Sequence, residues 1–301
     1  CSISLYICFI VILSICSRRG LFYFCYLSFL GMSKDLENLY RVSPWPEDLV
    51  EGGKRRFEEA YKIFSNIIEH RWFRDLLLSR RSILILDLCG GVGVGGISLA
   101  KVLVERGFDV RVIINDLRSS ALEKAKVYGR EMLGFDVEVV LANALEIDKY
   151  VSRADIALIY GLSLPHFDSY DLVYLMSVLS KILGDEGVLA IEEIDRVWLL
   201  FSQRDKRDYF LEYSDDRYIL SGHASYNPLR GLFKRVFIDL STMNRVYADF
   251  RLWDLASVLS TAWIFFREID FVPIKTFYHG IILARRSRGI DPGMYREKPF
   301  K

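Results

Sequence analysis

Ile83-Leu84-Ile85-Leu86-Asp87-Leu88-Cys89-Gly90-Gly91-Val92-Gly93-Val94-Gly95-Gly96 is an apolar run that ends on an acid and passes into a glycine-rich turn. Ile83 to Leu86 fit a strand buried on both faces, and Ile97 to Val104 read as the helix that follows it, packed on the sheet. Glycine at 91 and 93 lets backbone approach a ligand where a Cβ would prevent it. The unpaired N–H groups of the helix start favour negatively charged groups. The stretch therefore reads as a nucleotide-cofactor site.

By letter, Gly91-x-Gly93-x-x-Gly96 also satisfies the dinucleotide fingerprint. The position of the acids separates the two readings. In a nicotinamide-binding loop the first glycine follows the strand directly, and an acid comes only at the end of the second strand. Here Asp87 closes the first strand ahead of the glycines, and Asp116 ends the next apolar strand, Val110 to Ile114. Acids flanking the loop in this way resemble the class I S-adenosylmethionine-dependent methyltransferases.

Later elements arrive in the order of that resemblance. A helix over Ser119 to Leu133 and a strand over Val137 to Leu141 lead to Asn143-Ala144. There the family has an acid and a small residue near the adenine, and the oxygen of an amide can still accept a hydrogen bond from an exocyclic amine. A fourth strand spans Ala154 to Gly161, followed by a loop from Leu162 to Phe167 that the resemblance turns toward the methyl group. A helix from Tyr170 to Leu183, the turn Gly184-Asp185-Glu186-Gly187 and the strand Val188 to Ile191 make the fifth unit. Then come a strand Arg235 to Leu240, an apolar helix Leu252 to Phe266 and a last strand Phe277 to Ala284. Strand and helix in alternation predict an α/β fold with right-handed crossovers. The resemblance, covering residues 80 to 285, implies a seven-stranded, mostly parallel Rossmann-like sheet with an antiparallel last strand and helices on both faces. It departs from the family at Cys89, which stands at the usual first glycine, and at Asn143. It implies S-adenosylmethionine as cofactor, held by Asp87, Cys89, Gly91, Gly93, Asp116, Leu117, Asn143, Ala144 and Tyr160, with Asp116 on the ribose hydroxyls.

With 301 residues and 51% hydrophobic content, a single large domain over residues 32–301 is the simplest expectation. Net charge is +1, and without Arg18 and Arg19 the balance is 38 basic to 39 acidic residues. Near-neutrality argues against a nucleic-acid partner. Residues 1–31 are almost wholly apolar apart from those arginines, which cut the run short of a membrane span and stand after the apolar core, where a secretory signal has its charge before it. The expectation is that 1–31 is a non-native segment ahead of a start at Met32; if it is native, membrane attachment stays open. Four of the five cysteines lie in it, leaving Cys89 without an internal disulfide partner, which reads as cytoplasmic.

Residues 33–80 form a helical extension in which Phe57, Tyr61, Phe64 and Ile68 share one face of a helix from Lys54 to Glu69. That face is a core face, while Tyr40 and Arg41 ahead of it are candidates to touch the ligand. Residues 196–234 are longer than a crossover needs and would overhang the strand ends as a substrate-side insertion. Trp198, Phe201, Tyr209, Phe210, Tyr213, Tyr218 and Tyr226 are candidate walls there, or simply pack the insertion on the domain.

Methyl transfer asks little of side chains, and a base is needed only when the acceptor holds a proton. His166 is the candidate base because it lies after the fourth strand and titrates near neutrality; its plainer account is a hydrogen-bonded loop histidine. Tyr160 could position the acceptor or cover the cofactor. Glu192, Glu193 and Asp195 could bind a cation, with a solvated acidic turn as the plainer account, and His70, His223 and His279 are given no role. Tyr160-Gly161-Leu162-Ser163 lacks the Asn/Asp-Pro-Pro-aromatic loop associated with transfer to base or glutamine amino groups. There is no Cys/His zinc cluster and no Gly-x-x-x-x-Gly-Lys loop. The function expected is methyl transfer to a small-molecule acceptor. The alternatives are an NAD(P)-dependent oxidoreductase and a non-catalytic S-adenosylmethionine-binding protein; sequence leaves the oligomeric state open.

Overall fold

A computed structural model describes residues 35–43, 47, 49, 51–202, 209–214 and 217–299. The apolar segment 1–31 and Met32 lie outside the described residues. Residues 35–42 form α1, followed by α2 (Glu51–Ile67) and α3 (Arg71–Ser79). The quoted stretch then gives β1 (Ser82–Leu88) and α4 (Val94–Glu105), and after it come β2 (Asp109–Asp116), α5 (Ser119–Leu133), β3 (Glu138–Leu141), β4 (Ile156–Ile159), α6 (Ser169–Leu183) and β5 (Val188–Ile194). The helix begins three residues earlier than its apolar run because Gly95 and Gly96 belong to it. A Cβ on Gly96 would stand 2.9 Å from the Asp87 side chain, so helix and strand tip approach closely only with glycine there.

β1, β2, β3, β4 and β5 pair in parallel in the order β3-β2-β1-β4-β5. The sheet ends with β11 (His279–Ser287), antiparallel to β5, and β10 (Phe266–Thr276), antiparallel to β11. Seven strands, mostly parallel, with the last strand in sequence inserted antiparallel, make the Rossmann-like α/β sheet expected. Side chains alternate between two cores. Ile83, Ile85, Val112 and Ile114 face α2 to α5 through Phe64, Phe73, Ile97 and Leu122. Leu86, Leu88 and Ile113 face α6 and α8 (Leu255–Phe265) through Leu172, Leu179, Val258 and Phe265.

Two expectations shift. The strand read at Arg235 to Leu240 is not in this sheet: it belongs to β8 (Leu232–Asp239) of a separate antiparallel sheet, ordered β6 (Tyr209–Ser214), β7 (Arg217–Asn227), β8, β9 (Arg245–Arg251). Only its pairing decides: β8 bonds to β7 and β9, antiparallel to both, and to no strand of the main sheet. The sixth sheet strand is β10, whose Pro273 is tolerated because β10 is an edge. The helix read to Phe266 therefore stops at Phe265. The short helix α7 (Arg196–Ser202) connects β5 to the second sheet. Among the described residues no helix is long and apolar enough to cross a membrane.

Candidate functional site

The carboxyl ends of β1 and β2 meet at the glycine turn. Cys89 adopts φ +52 and Gly91 φ +56, so the cysteine at the usual glycine position takes the left-handed backbone a glycine would take. For a residue with a Cβ this costs roughly 1–2 kcal/mol. Its thiol is pushed up in pKa by burial and by the Asp116 and Asp87 carboxylates, so it is uncharged at neutral pH. Asp87 is fully buried beneath the turn, where its Oδ2 accepts from the Gly96 amide at 2.7 Å and its Oδ1 has no hydrogen-bond partner. Burial pushes its pKa up to about 7, with Asp116 adding to the rise and the Gly96 amide opposing it.

Asp116 sits at the tip of β2. Its Oδ2 accepts from the Gly91 amide at 2.8 Å and its Oδ1 from the Arg118 amide at 2.9 Å. Burial still holds its pKa above the ordinary carboxylate value, against Arg118 and the two amides. Arg118, 3% exposed, reaches Glu47 with Nη2 at 2.7 Å and lies 3.7 Å over the Tyr40 ring. Burial works against its charge, but Asp116 and Glu47 outweigh that and raise its pKa. The leading segment is thus tied to the strand tip through Arg118.

These residues open on a cavity of about 1100 Å³ bounded by α1, the ends of β2 and β3, the turn after β4, and β8 and β9. Of the residues singled out from sequence, Cys89, Asp116, Leu117, Asn143, Ala144 and His166 line it, as do Tyr40 and Arg41. Asp87, Gly91, Gly93 and Tyr160 do not. A Cβ on Gly93 would press on Ile114 and Ile97, and the Tyr160 ring packs at a tilt against Phe64 with ring centres 5.2 Å apart. Asn143 caps a 3₁₀ turn, Ala144–Lys149, with its Oδ1 accepting from the Leu145 amide at 3.0 Å. His166 closes a second such turn, Leu164–His166, and packs on Phe250 of β9 at 5.4 Å. His166 is exposed to the cavity, and where protein walls it the lost water, with the Arg118 and Arg196 charges, holds its pKa below the ordinary imidazole value. Water in the cavity works against the first cause and leaves the direction unchanged: the imidazole is neutral at pH 7.

No family model matches the chain, and no curated protein matches it. Solved structures do. An S-adenosylmethionine-dependent methyltransferase from Clostridium acetobutylicum ATCC 824 aligns with a TM-score of 0.54 at 15% identity, over 87% of this chain and 99% of that one. The CcbJ methyltransferase from Streptomyces caelestis aligns at 0.54 and 15%, over 83% and 95%. CalS10, an amino pentose methyltransferase from Micromonospora echinaspora with S-adenosylmethionine bound, aligns at 0.50 and 15%, over 83% and 96%. The fold is that of the S-adenosylmethionine-dependent methyltransferases.

In this methyltransferase fold several residues near the strand ends escaped sequence reading. Asn115, buried beside Asp116, donates Nδ2 to the Val140 and Ala142 carbonyls at 3.0 and 2.8 Å, while its Oδ1 has no partner. Asp168 and Asp171, which open α6, hold Arg230 from the β7–β8 turn and Lys298 near the C-terminus, with Asp168 Oδ2 at 2.5 Å from Arg230 Nε and 3.1 Å from Lys298 Nζ. Glu192 and Glu193, read from sequence as following the fifth strand, are the last part of β5, and with Asp195 just beyond it they are not a solvated turn. Glu192 and Glu193 are buried and Asp195 accepts from the Trp198 and Leu255 amides, and among the described residues no group of three or more His, Cys, Asp or Glu could hold a metal ion. His279 pairs with Glu192 at 3.0 Å, and His70 with Asp270 at 3.2 Å. Trp198, Tyr218 and Tyr226 are exposed and outside the cavity lining. The side chains of Phe201, Tyr209, Phe210 and Tyr213 lie outside the described residues.

Proposed function

We propose that this chain is an S-adenosylmethionine-dependent methyltransferase acting on a small molecule admitted to the cavity under the antiparallel sheet. The observation that carries the reading is the convergence of Asp116, Leu117, Asn143, Ala144 and His166 on one cavity at the carboxyl ends of the parallel strands. The residues present fit the cofactor. A carboxylate at the end of β2 suits a ribose diol, Leu117 and Ala144 offer apolar contact to a flat ring, and Asn115 Oδ1 is a buried acceptor with no protein donor.

When bound, the cofactor supplies a methyl group already activated on sulfur. The protein's part is alignment and exclusion of water. His166 faces the cavity as a neutral imidazole, so it accepts a hydrogen bond from the acceptor's O–H or N–H and orients that group. Its lowered pKa keeps it in the accepting form at neutral pH, so the acceptor's proton can pass to it as the methyl group is transferred. β9 and α1 close the cavity above it.

Calorimetric titration of the full chain with S-adenosylmethionine, and separately with NAD(H), tests the reading. Binding of the first, lost in Asp116→Ala with circular dichroism unchanged, is the expected outcome; preference for NAD(H) would overturn it. With an acceptor in hand, His166→Ala should lower kcat by about 10²-fold or more and leave cofactor binding intact. Cofactor binding with no turnover over a broad acceptor panel would instead favour a binding protein.

A further inference from the structure

The turn after β4 is built on two consecutive left-handed residues, Gly161 at φ +96 and Leu162 at φ +62. A leucine holds that conformation only where its surroundings over-determine it. Three side chains from other elements grip the turn. Glu192 Oε2 accepts from the Gly161 amide at 2.9 Å, Arg196 Nη2 donates to the Leu162 carbonyl at 3.4 Å, and Trp253 Nε1 donates to the Leu164 carbonyl at 3.0 Å.

Glu192 is itself fixed. Its Oε1 lies 3.0 Å from Nε2 of His279, which starts the antiparallel strand β11, and the two side chains are 7% and 10% exposed. Arg56 of α2 and Tyr160, just after β4, are the other polar groups whose fields it feels or exerts, with Glu193 beside it in sequence. Neither Glu192 nor His279 lines the cavity. Replacing a buried carboxylate and imidazole by an apolar pair of similar volume is often neutral or stabilising, so what the pair holds is a better guide to its role than its own packing. What they fix is the start of the turn that ends at His166.

We infer that Glu192, braced by His279, is a positioning residue of the methyl-transfer site: it locks the Gly161–Leu162 turn and so presents His166 to the cavity in one orientation. The inference rests on the reading of His166 as the group facing the acceptor. It assigns a role to Glu192, at the end of β5, through the backbone it holds, with no contact to substrate or cofactor.

Hydrogen exchange and imidazole NMR on the full chain test it, comparing wild type, Glu192→Ala and Glu192→Gln. In Glu192→Ala the Gly161 amide should exchange at least about tenfold faster while Ala190, within β5, keeps its rate. The His166 ring signals should split or broaden as the ring samples more than one environment. Glu192→Gln should restore both toward wild type, because its carboxamide oxygen still accepts from the Gly161 amide. Unchanged Gly161 exchange and His166 signals in Glu192→Ala would overturn the proposal, as would an equal rise at Gly161 and Ala190, which would mark a general loss of stability. If Glu192→Ala does not fold, His279→Phe is read in the same way, with a smaller local rise expected and no local rise overturning the idea. Titration of the same samples with S-adenosylmethionine separates the two failures: wild type that does not bind it sinks the methyltransferase reading, while the exchange data judge the positioning role.

Discussion

Cys89 and Asp87 show opposite ways in which single residues serve the turn. At φ +52 Cys89 carries strain that glycine would not, so Cys89→Gly should be neutral to about 1 kcal/mol stabilising, the relief being offset by glycine's greater freedom in the unfolded chain. Cys89→Val should cost about 1–3 kcal/mol, because a β-branched side chain tolerates the left-handed region worst. Urea denaturation of both variants checks the order; a valine variant as stable as the glycine one would show that the turn relaxes. Asp87 is held for its acceptor oxygen rather than for its charge. Its pKa of about 7 in the fold stands above that of an unfolded aspartate, so between about pH 4 and pH 7 the folded state binds the extra proton and stability falls as pH rises, levelling off above that window. Asp87→Asn can still accept from Gly96 and removes the ionisation. It should match wild type within about 1 kcal/mol at pH 4 and exceed it by about 2–4 kcal/mol at pH 8. Denaturation midpoints at the two pH values measure this, and an equal difference at both would refute the buried-charge account.

At the scale of elements, local pattern carried much of the reading and long-range pairing carried the rest. β1, α4, β2 and α5 were legible because an apolar run, glycine punctuation and helical periodicity each span about a dozen residues. Cys89, Asp116, Leu117, Asn143, Ala144 and His166 were legible as candidates because each stands at a fixed offset from a strand end. β8 was misplaced because RVFIDL looks like a strand in either sheet, and only its partners β7 and β9 decide. Arg230 and Lys298, which meet Asp168 across 62 and 130 residues of sequence, left no local signal at all. That junction binds the antiparallel sheet and the C-terminal tail to α6. Asp168 accepts from the Tyr170 and Asp171 amides at 3.0 and 2.8 Å while Asp171 reaches back, completing a capping box. Burial raises the Asp168 pKa, but the Asp171 amide, Arg230 and Lys298 outweigh it and bring the value down to about 2. Its stabilisation is therefore complete above the unfolded carboxylate pKa and lost as pH falls toward 2. Asp168→Ala should cost about 2–4 kcal/mol at pH 7, with a smaller difference from wild type at pH 2, by denaturation at both. A cost independent of pH would assign the effect to the cap alone.

Across the whole molecule, the cavity exists only because α1 and the antiparallel sheet meet over the Rossmann-like core. Their junction is a third, small apolar cluster in which Leu39 and Val42 pack against Ile219 and Phe237, apart from the two cores of the main sheet. Polar ties complete the cover: Glu37 accepts from Ser120 Oγ at 2.8 Å, and Tyr40 lies under Arg118. A small satellite cluster opens more readily than the main cores, so the cover is the part of the fold that ligand binding should stabilise most. S-adenosylmethionine at about 100 times its dissociation constant should add roughly 2.7 kcal/mol, raising the thermal midpoint by about 4 °C, whereas NAD(H) should leave it unchanged. Leu39→Ala should leave the midpoint without ligand nearly as it is, because the main cores set it, yet lower cofactor affinity by about tenfold or more, since part of the binding free energy then goes to closing the cover. Thermal scans of both proteins over a range of ligand concentrations separate the terms. A large drop in the ligand-free midpoint would mean that cover and core unfold as one unit, and an unchanged affinity would mean that the cofactor binds without α1.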